Sequence, residues 1–392
     1  MPGPSGNTPE DFAKRGEIRL SKDMFNHSRF SRLMDEAGVA ALVALAPANI
    51  TYTSGYHNID MPALPERIHA VVCPRGGEPT LLLPGSRNTV ETFVTDVRRY
   101  FLYDGSEDPG FWMLVDLLKE LEIHRERVAI EMRYISARDF LRLQKEFPNI
   151  HFVDAFDILE VTRFSKTPAE VEFLRKAARL TDQAIAKTYT EARISDTEKA
   201  IGDTMSYTAM QAGADQIAFN FVASGSRLTH GHHLGSPEQL EYETIARCDF
   251  GAGFRGYFSD LARMAYVGKC SQRQKDTYAQ YLEAHHRVID TVKPGMTGDS
   301  LYQSSAKECG KFGLPPMIMA GHSIGLVVHE RPVIVPGDFW EIEEGMVMCI
   351  ETGGVLTDLD EQYHLEDMIV VTKNGAEVLS DQANLDEMVA IE

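Results

Sequence analysis

Five oxygen and nitrogen donors stand at the ends or edges of apolar runs in the C-terminal half of the chain: Asp249, Asp260, His322, Glu351 and Glu366. Asp249 and Asp260 bracket DFGAGFRGYFSD, where Gly251, Gly253 and Gly256 break the run into two strands joined by a turn. Such a hairpin can set both carboxylates on one face. Two buried carboxylates that face each other repel unless they share a proton or a cation, so the pairing invites a metal. Singly, each donor has a plainer reading: the aspartates as solvated turn residues, His322 in GHSIGLVVHERP as a satisfied core histidine. Glu351 in MCIETGG and Glu366 in HLEDMIVVT sit beside apolar strand runs, where a carboxylate is hard to leave unpaired. Taken together, the five point to a divalent-metal site.

The ordered set resembles the superfamily of methionine aminopeptidase, aminopeptidase P, prolidase and creatinase, whose catalytic domain has the pita-bread fold. The match covers most of residues 160–380. It is carried by Asp249-Phe250-Gly251, by Asp260 eleven residues after Asp249, by His322 with His329-Glu330, by Glu351, and by Glu366-Asp367 ahead of an apolar strand. The resemblance implies two divalent ions (Mn, Zn, Co or Fe), bridged by Asp260 and Glu366, with Asp249 completing one shell and His322 and Glu351 the other. It implies a hydroxide between them as nucleophile, which removes the need for a nucleophilic Ser or Cys.

His232, seventeen residues before Asp249 in SRLTHGHHLGS, matches by spacing a substrate-contacting histidine of the family, and His329 matches a second. With Glu351 they form the expected catalytic set, in which the two histidines donate toward a developing oxyanion or assist the leaving nitrogen. His233 and His364 are placed beside the substrate, although a run such as His230-Gly231-His232-His233 can also bind stray metal. Arg67, in ALPERIHAVV, falls where creatinase-like enzymes present an arginine to a substrate carboxylate; it reads equally as a surface residue opening a strand. In these relatives a homodimer forms, and the N-terminal domain of one subunit completes the active site of the other.

Retention of all five ligands separates the chain from creatinase, which works without metal. The leading expectation is an Xaa-Pro dipeptidase or aminopeptidase acting on small peptides. Three departures favour an alternative: Thr352 stands where such peptidases usually have proline, His364 where they usually have arginine, and only fifteen residues separate Glu351 from Glu366. They suggest a small zwitterionic substrate, as for pita-bread enzymes that open ectoine or cleave dimethylsulfoniopropionate. A metal-free pita-bread binding protein is the reading from another class, and the intact ligands speak against it.

The elements that must position these residues follow from length and patterning. A chain of 392 residues divides most naturally into two domains, here 1–157 and 158–392. In the first, VAALVALA, IHAVVCP, PTLLLPG, RRYFLYD, RVAIEM and IHFVDA read as strands, and residues 24–36, FWMLVDLLKELEI and SARDFLRLQKEF as helices, giving an α/β domain of the creatinase type. In the second, long helices at 168–189 and 272–292 are each followed by a shorter one (196–212 and 298–312) and then by strands, a pseudo-duplicated α+β pattern.

A formal charge of −19 disfavours a nucleic-acid surface or an anionic membrane as the main partner, since both need clustered Lys and Arg. The N-terminus lacks a basic start and an apolar run, and no stretch approaches the about 20 apolar residues that span a bilayer, so a cytoplasmic location is expected, with disorder confined to the first dozen residues. The five cysteines, odd in number and without a CxxC pair, are expected to be small buried residues and not a disulfide framework.

Overall fold

The computed structural model describes residues 20–392, apart from 65, 86–89, 103–106, 124 and 381–385. The first dozen residues, expected to be disordered, lie outside the described residues. Six strands build the first sheet: β1 (Val39–Ala44), β2 (Ala70–Pro74), β3 (Thr80–Pro84), β4 (Asp96–Tyr100), β5 (Arg127–Ile130) and β6 (His151–Asp154), in the order β4-β3-β2-β1-β5-β6. β1 runs parallel to β5 and antiparallel to β2, so the sheet is mixed. Its central strand VAALVA is apolar throughout because helices cover both faces.

Those helices are α1 (His27–Ala37), α2 (Pro47–Ser54), α3 (Asp60–Ala63), α4 (Pro109–Glu120), α5 (Ala137–Glu146) and α6 (Phe156–Thr162). Asn26 caps α1, and Gly38 ends it in the left-handed region at φ 62°. α2 has no counterpart in the sequence reading. Its PANITYTS is rich in β-branched and hydroxyl residues of modest helix propensity. Burial of Ile50 and Tyr52, and hydroxyl donation from Thr53 and Ser54 to the carbonyls of Asn49 and Ile50, hold it.

Ten strands form the second sheet: β7 (Gln216–Ser224), β8 (Thr244–Phe254), β9 (Tyr257–Phe258), β10 (Leu261–Val267), β11 (Gly321–Ser323), β12 (Glu330–Val333), β13 (Val347–Leu356), β14 (Glu361–Thr372), β15 (Gly375–Val378) and β16 (Val389–Ile391). The main path is β12-β11-β13-β14-β10-β8-β7. Two helix pairs pack outside it, α7 (Pro168–Glu191) with α8 (Glu198–Ala212) and α9 (Gln272–Thr291) with α10 (Gly298–Gly310). The pairs repeat each other in detail. Capping boxes start α7 (Thr167 with Glu170) and α9 (Ser271 with Gln274), while Thr197 and Thr297 cap the second helices and bridge to Gln239 and Glu341. No helix among the described residues is long and apolar enough to cross a membrane.

Strand alternation then decides which face carries chemistry. Met348 and Ile350 of β13 and Ile369 and Val371 of β14 join Val288 and Leu301 of α9 and α10 in one apolar cluster. The intervening residues, Glu351, His364 and Glu366 among them, are thereby turned to the opposite face.

Candidate metal centre

β13 and β14 form a hairpin in which Glu351 lies directly across from Glu366. The fifteen-residue spacing is that of two positions facing each other across this hairpin, symmetric about its turn. On the other side of β14, Glu366 pairs with Ala262 of β10, and Ala262 pairs with Asp249 of β8. Asp249, Ala262, Glu366 and Glu351 therefore form a cross-strand row on one face, with the Ala262 methyl leaving room between the carboxylates. Asp260, two residues before Ala262, shares that face, and His322 of β11 sits opposite Cys349, two residues before Glu351.

Two glycines permit this row. A Cβ at Gly251 would run into the Phe219 ring and the Ser259 carbonyl. Gly321, at φ 136°, lets β11 come so close to the Cys349 carbonyl that no side chain fits there, which seats His322 over the row.

His322 Nε2 lies 3.5 Å from Asp260 Oδ2, 3.6 Å from Glu351 Oε1 and 3.9 Å from Glu366 Oε1. All of these side chains are buried. Asp260 Oδ1, Glu351 Oε1 and Glu366 Oε1 have no hydrogen-bond partner among the described residues. Burial, reinforced by Asp260, pushes Asp249 up to about 7, and burial with Asp260, Glu351 and Asp249 pushes Glu366 well above the carboxylate range. Glu351 moves the other way: burial raises it, but hydrogen bonding and charge from His364 and His322 prevail and hold it low. Unpaired buried oxygens whose mutual repulsion drives protonation are the donor set that a divalent cation completes, and the residues fit one.

The sign of the pH dependence follows. A carboxylate with a raised folded pKa keeps its proton in the native chain while the unfolded chain loses it, so stability falls as pH rises from the unfolded value toward the folded one. Chelated protein is expected to lose on the order of a few kcal/mol of stability between about pH 4 and 7, with Asp249 and Glu366 as main contributors. Thermal melts of chelated wild type and Asp249→Asn across that range check it: the variant should show the shallower slope, and equal slopes would refute the assignment.

The row opens into a cavity of about 980 Å³, walled by Phe219, Phe221, Met317, Ile318, Met319 and Val328 among others. His232 is on this wall, stacked on Phe221 with ring centres 4.7 Å apart. His329 is there too, its ring centre 4.2 Å from that of His322; burial, then the His322 charge, lowers its pKa. His364 joins them, with Nε2 3.2 Å from Glu351 Oε2 and 3.6 Å from Glu366 Oε2. His233 is not brought in: its Nε2 faces Glu198 at 3.5 Å. Arg67 lines a separate cavity of about 520 Å³ in the first half, beside His69 and Asp108, and does not reach the metal cavity of its own chain.

The sequence reading missed Arg247 and Glu198. Arg247 lies two residues before Asp249 on the same face of β8, lines the cavity, and donates to the Gly231 carbonyl (2.7 Å) and to Gln362 (3.1 Å). It fixes the backbone next to His232. Glu198 accepts from the Ser224 amide and hydroxyl, Arg227 Nε and the Ser236 amide, pinning both ends of the histidine-bearing loop. An arginine at an inward position of an apolar strand was the available signal for Arg247.

Thr352 is not on the cavity wall. Its hydroxyl meets His285 Nδ1 at 3.1 Å, and His285 Nε2 lies 3.0 Å from Asp367, which also accepts from Arg263. Burial raises the Asp367 carboxyl, but Arg263 and His285 prevail and hold it far below the usual range. His285 thus links the Thr352 hydroxyl to the Asp367 carboxylate, so the residue after Glu351 is tied into a buried polar chain behind the row.

With this geometry in view, the chain matches the model of metallopeptidase family M24 over residues 172–373 and that of the Creatinase/Prolidase N-terminal domain over residues 27–165. It is 28% identical to an Xaa-Pro dipeptidase of Pyrococcus furiosus, over 89% of this chain and 95% of that one. It is 30% identical to an Xaa-Pro dipeptidase of Lactobacillus helveticus, over 84% and 89%. The crystal structure of an X-Pro aminopeptidase from Thermotoga maritima superposes with a TM-score of 0.80 at 26% identity, covering 92% of this chain and all of that one.

Proposed function

The chain belongs to metallopeptidase family M24, with a Creatinase/Prolidase N-terminal domain ahead of the catalytic one, and from that premise we propose that it hydrolyses Xaa-Pro dipeptides at a dinuclear centre. The observation that carries this reading is the single face on which Asp249, Asp260, His322, Glu351 and Glu366 converge, with three buried oxygens unpaired, at the floor of a cavity walled by His232 and His329. Relatives named Xaa-Pro dipeptidase match along most of their length and support the substrate class.

In this reading Asp249, Asp260, His322, Glu351 and Glu366 would hold the ions. Two divalent ions there, drawn from Mn, Co, Fe and Zn, would polarise a carbonyl and lower the pKa of water. The remaining work is done by the chain. His329, kept neutral by its lowered pKa, and His232, held flat by Phe221, present N–H groups to the oxyanion that develops at the scissile carbonyl. Aromatic and methionine side chains exclude water from the apolar part of the peptide.

Among the described residues Arg247 is the one arginine or lysine on the cavity wall, and it supplies a cation for the carboxylate of a dipeptide. In a homodimer, Arg67 of a second copy is the candidate for a further carboxylate contact. The proposed domain boundary at 157/158 falls within α6, just after the last strand of the first sheet. Thr352, which had pointed to a non-peptide substrate, serves the buried chain behind the row, so that departure does not bear on the substrate.

Protein loaded with Mn or Co is expected to turn over Xaa-Pro dipeptides, and His329→Ala to lower kcat by about 10²–10³ with metal content unchanged. A fully loaded enzyme that is inert on a panel of Xaa-Pro dipeptides and tripeptides, yet cleaves a zwitterionic osmolyte, would end the peptidase reading.

A further inference from the structure

Glu351 and Glu366 face each other across β13 and β14, and each divides its two oxygens between two imidazoles. The Oε1 atoms lie toward His322 Nε2, at 3.6 and 3.9 Å. The Oε2 atoms lie toward His364 Nε2, at 3.2 and 3.6 Å. Two donors on one ion, each about 2.0–2.2 Å from it, stand roughly 3–3.5 Å apart, and the His364 spacings meet that criterion at least as well as those of His322. His364 shares the face of Glu366 because it is two residues before it on β14. Its Nδ1 has no hydrogen-bond partner among the described residues, where the two carboxylates are the polar groups its Nε2 faces. A single hydrogen bond from Nε2 would serve one carboxylate oxygen. Here Nε2 is within hydrogen-bond distance of Glu351 Oε2 and just beyond it for Glu366 Oε2, and an ion set between the three atoms would take both separations as ligand spacings.

We propose that His364 Nε2 is a metal ligand, so that each of two ions carries one imidazole and both Glu351 and Glu366 bridge. This rests on the dinuclear reading above. It gives chemical sense to a histidine where resembling peptidases usually carry arginine, since a guanidinium has no lone pair to offer a metal. A shell with two imidazoles also shifts preference from Mn toward Fe, Co and Zn.

Cobalt-loaded protein, with the imidazoles counted by X-ray absorption at the cobalt edge, tests the proposal without reference to activity. The wild type should show one imidazole per cobalt. His364→Gln should show one per two cobalt ions and hold the second ion more than about 100-fold more weakly, beyond the about 10–100-fold that outer-shell changes alone cost. His364→Arg, which restores the residue usual in the family, should behave likewise and stands in if the glutamine variant does not fold. A count of one per two ions in the wild type, or a count that the variants leave unchanged, overturns the proposal while the dinuclear centre stands. Uptake of fewer than two cobalt ions overturns the dinuclear reading and this one with it.

Discussion

Glu366→Gln is expected to lower hydrolysis by about 10³-fold or more and, in the same protein, to raise the melting temperature of the metal-free chain above that of the wild type. The first effect follows from losing a carboxylate that faces Asp260, Glu351 and Asp249 at once, because metal stabilisation of a transition state amounts to several kcal/mol and each 1.4 kcal/mol is about tenfold. The second follows from the same crowding. Burial and three neighbouring carboxylates raise the Glu366 pKa well above its ordinary value, so at pH 7 the metal-free chain either retains a proton there or endures the repulsion. Glutamine keeps the shape, removes the charge and offers an N–H₂ to acceptors that otherwise have no donor, Asp260 Oδ1 among them.

Metal reverses the order. An ion at 100 times its Kd stabilises the native state by about 2.7 kcal/mol, and the variant should forgo most of that gain. Paired thermal melts with and without chelator, alongside metal content by mass spectrometry, read both signs. A variant that melts below the wild type in chelator, or that keeps the full metal-dependent shift, contradicts the account of Glu366 as a shared ligand.

Much of this centre was legible in the sequence because its geometry is built from short-range rules. Asp249 and Asp260 sit on one hairpin, and Glu351 and Glu366 on another, so the spacing along the chain maps onto facing positions across two strands. What the sequence could not give was the order in which the hairpins pair. That β10 lies between β8 and β14, placing Ala262 between Asp249 and Glu366, depends on contacts between residues more than a hundred positions apart. Long separation also hid the contact between Arg247 and Gln362, 115 positions apart, and the chain from Thr352 through His285 to Asp367, whose links span 67 and 82 positions. His233 illustrates the converse. In an HxHH run the choice of inward ring is made by the loop, and here Glu198 fixes that loop so that His232 faces the cavity while His233 faces Glu198 itself. α2 escaped notice because tertiary burial, not propensity, makes it helical.

Glu330, the neighbour of His329, joins the two halves of the molecule, and its removal should be the most damaging single change outside the metal row. Its carboxylate meets Lys166 Nζ at 3.0 Å and Arg163 Nε at 3.3 Å, with all three side chains less than a tenth exposed. Arg163 continues the chain into the first sheet by donating to Asn49. Asn49 donates to Glu131, and Glu131 accepts from the backbone amides of Leu45 and Ala46 just past β1. Burial raises the Glu330 pKa, but Lys166 and Arg163 outweigh it and leave the carboxyl depressed. A depressed carboxylate contributes stability that is present above the unfolded value, about 4.3, and is lost as pH falls through the folded one.

Glu330→Gln leaves two cations buried without their anion, and breaking a buried pair in this way costs about 3–5 kcal/mol. The variant should therefore melt well below the wild type at pH 7, with the gap closing toward low pH as the wild-type carboxylate protonates. Adding Lys166→Met to the variant should recover part of the loss, because one of the two stranded charges is then gone; a double-mutant cycle measures the coupling. Since Glu330 anchors the strand start that carries His329, kcat should fall even where the protein remains folded and metal-loaded. Equal melting of wild type and Glu330→Gln at neutral pH, or no recovery on removing Lys166, would mean that solvent reaches this network and that it does not hold His329 against the first sheet.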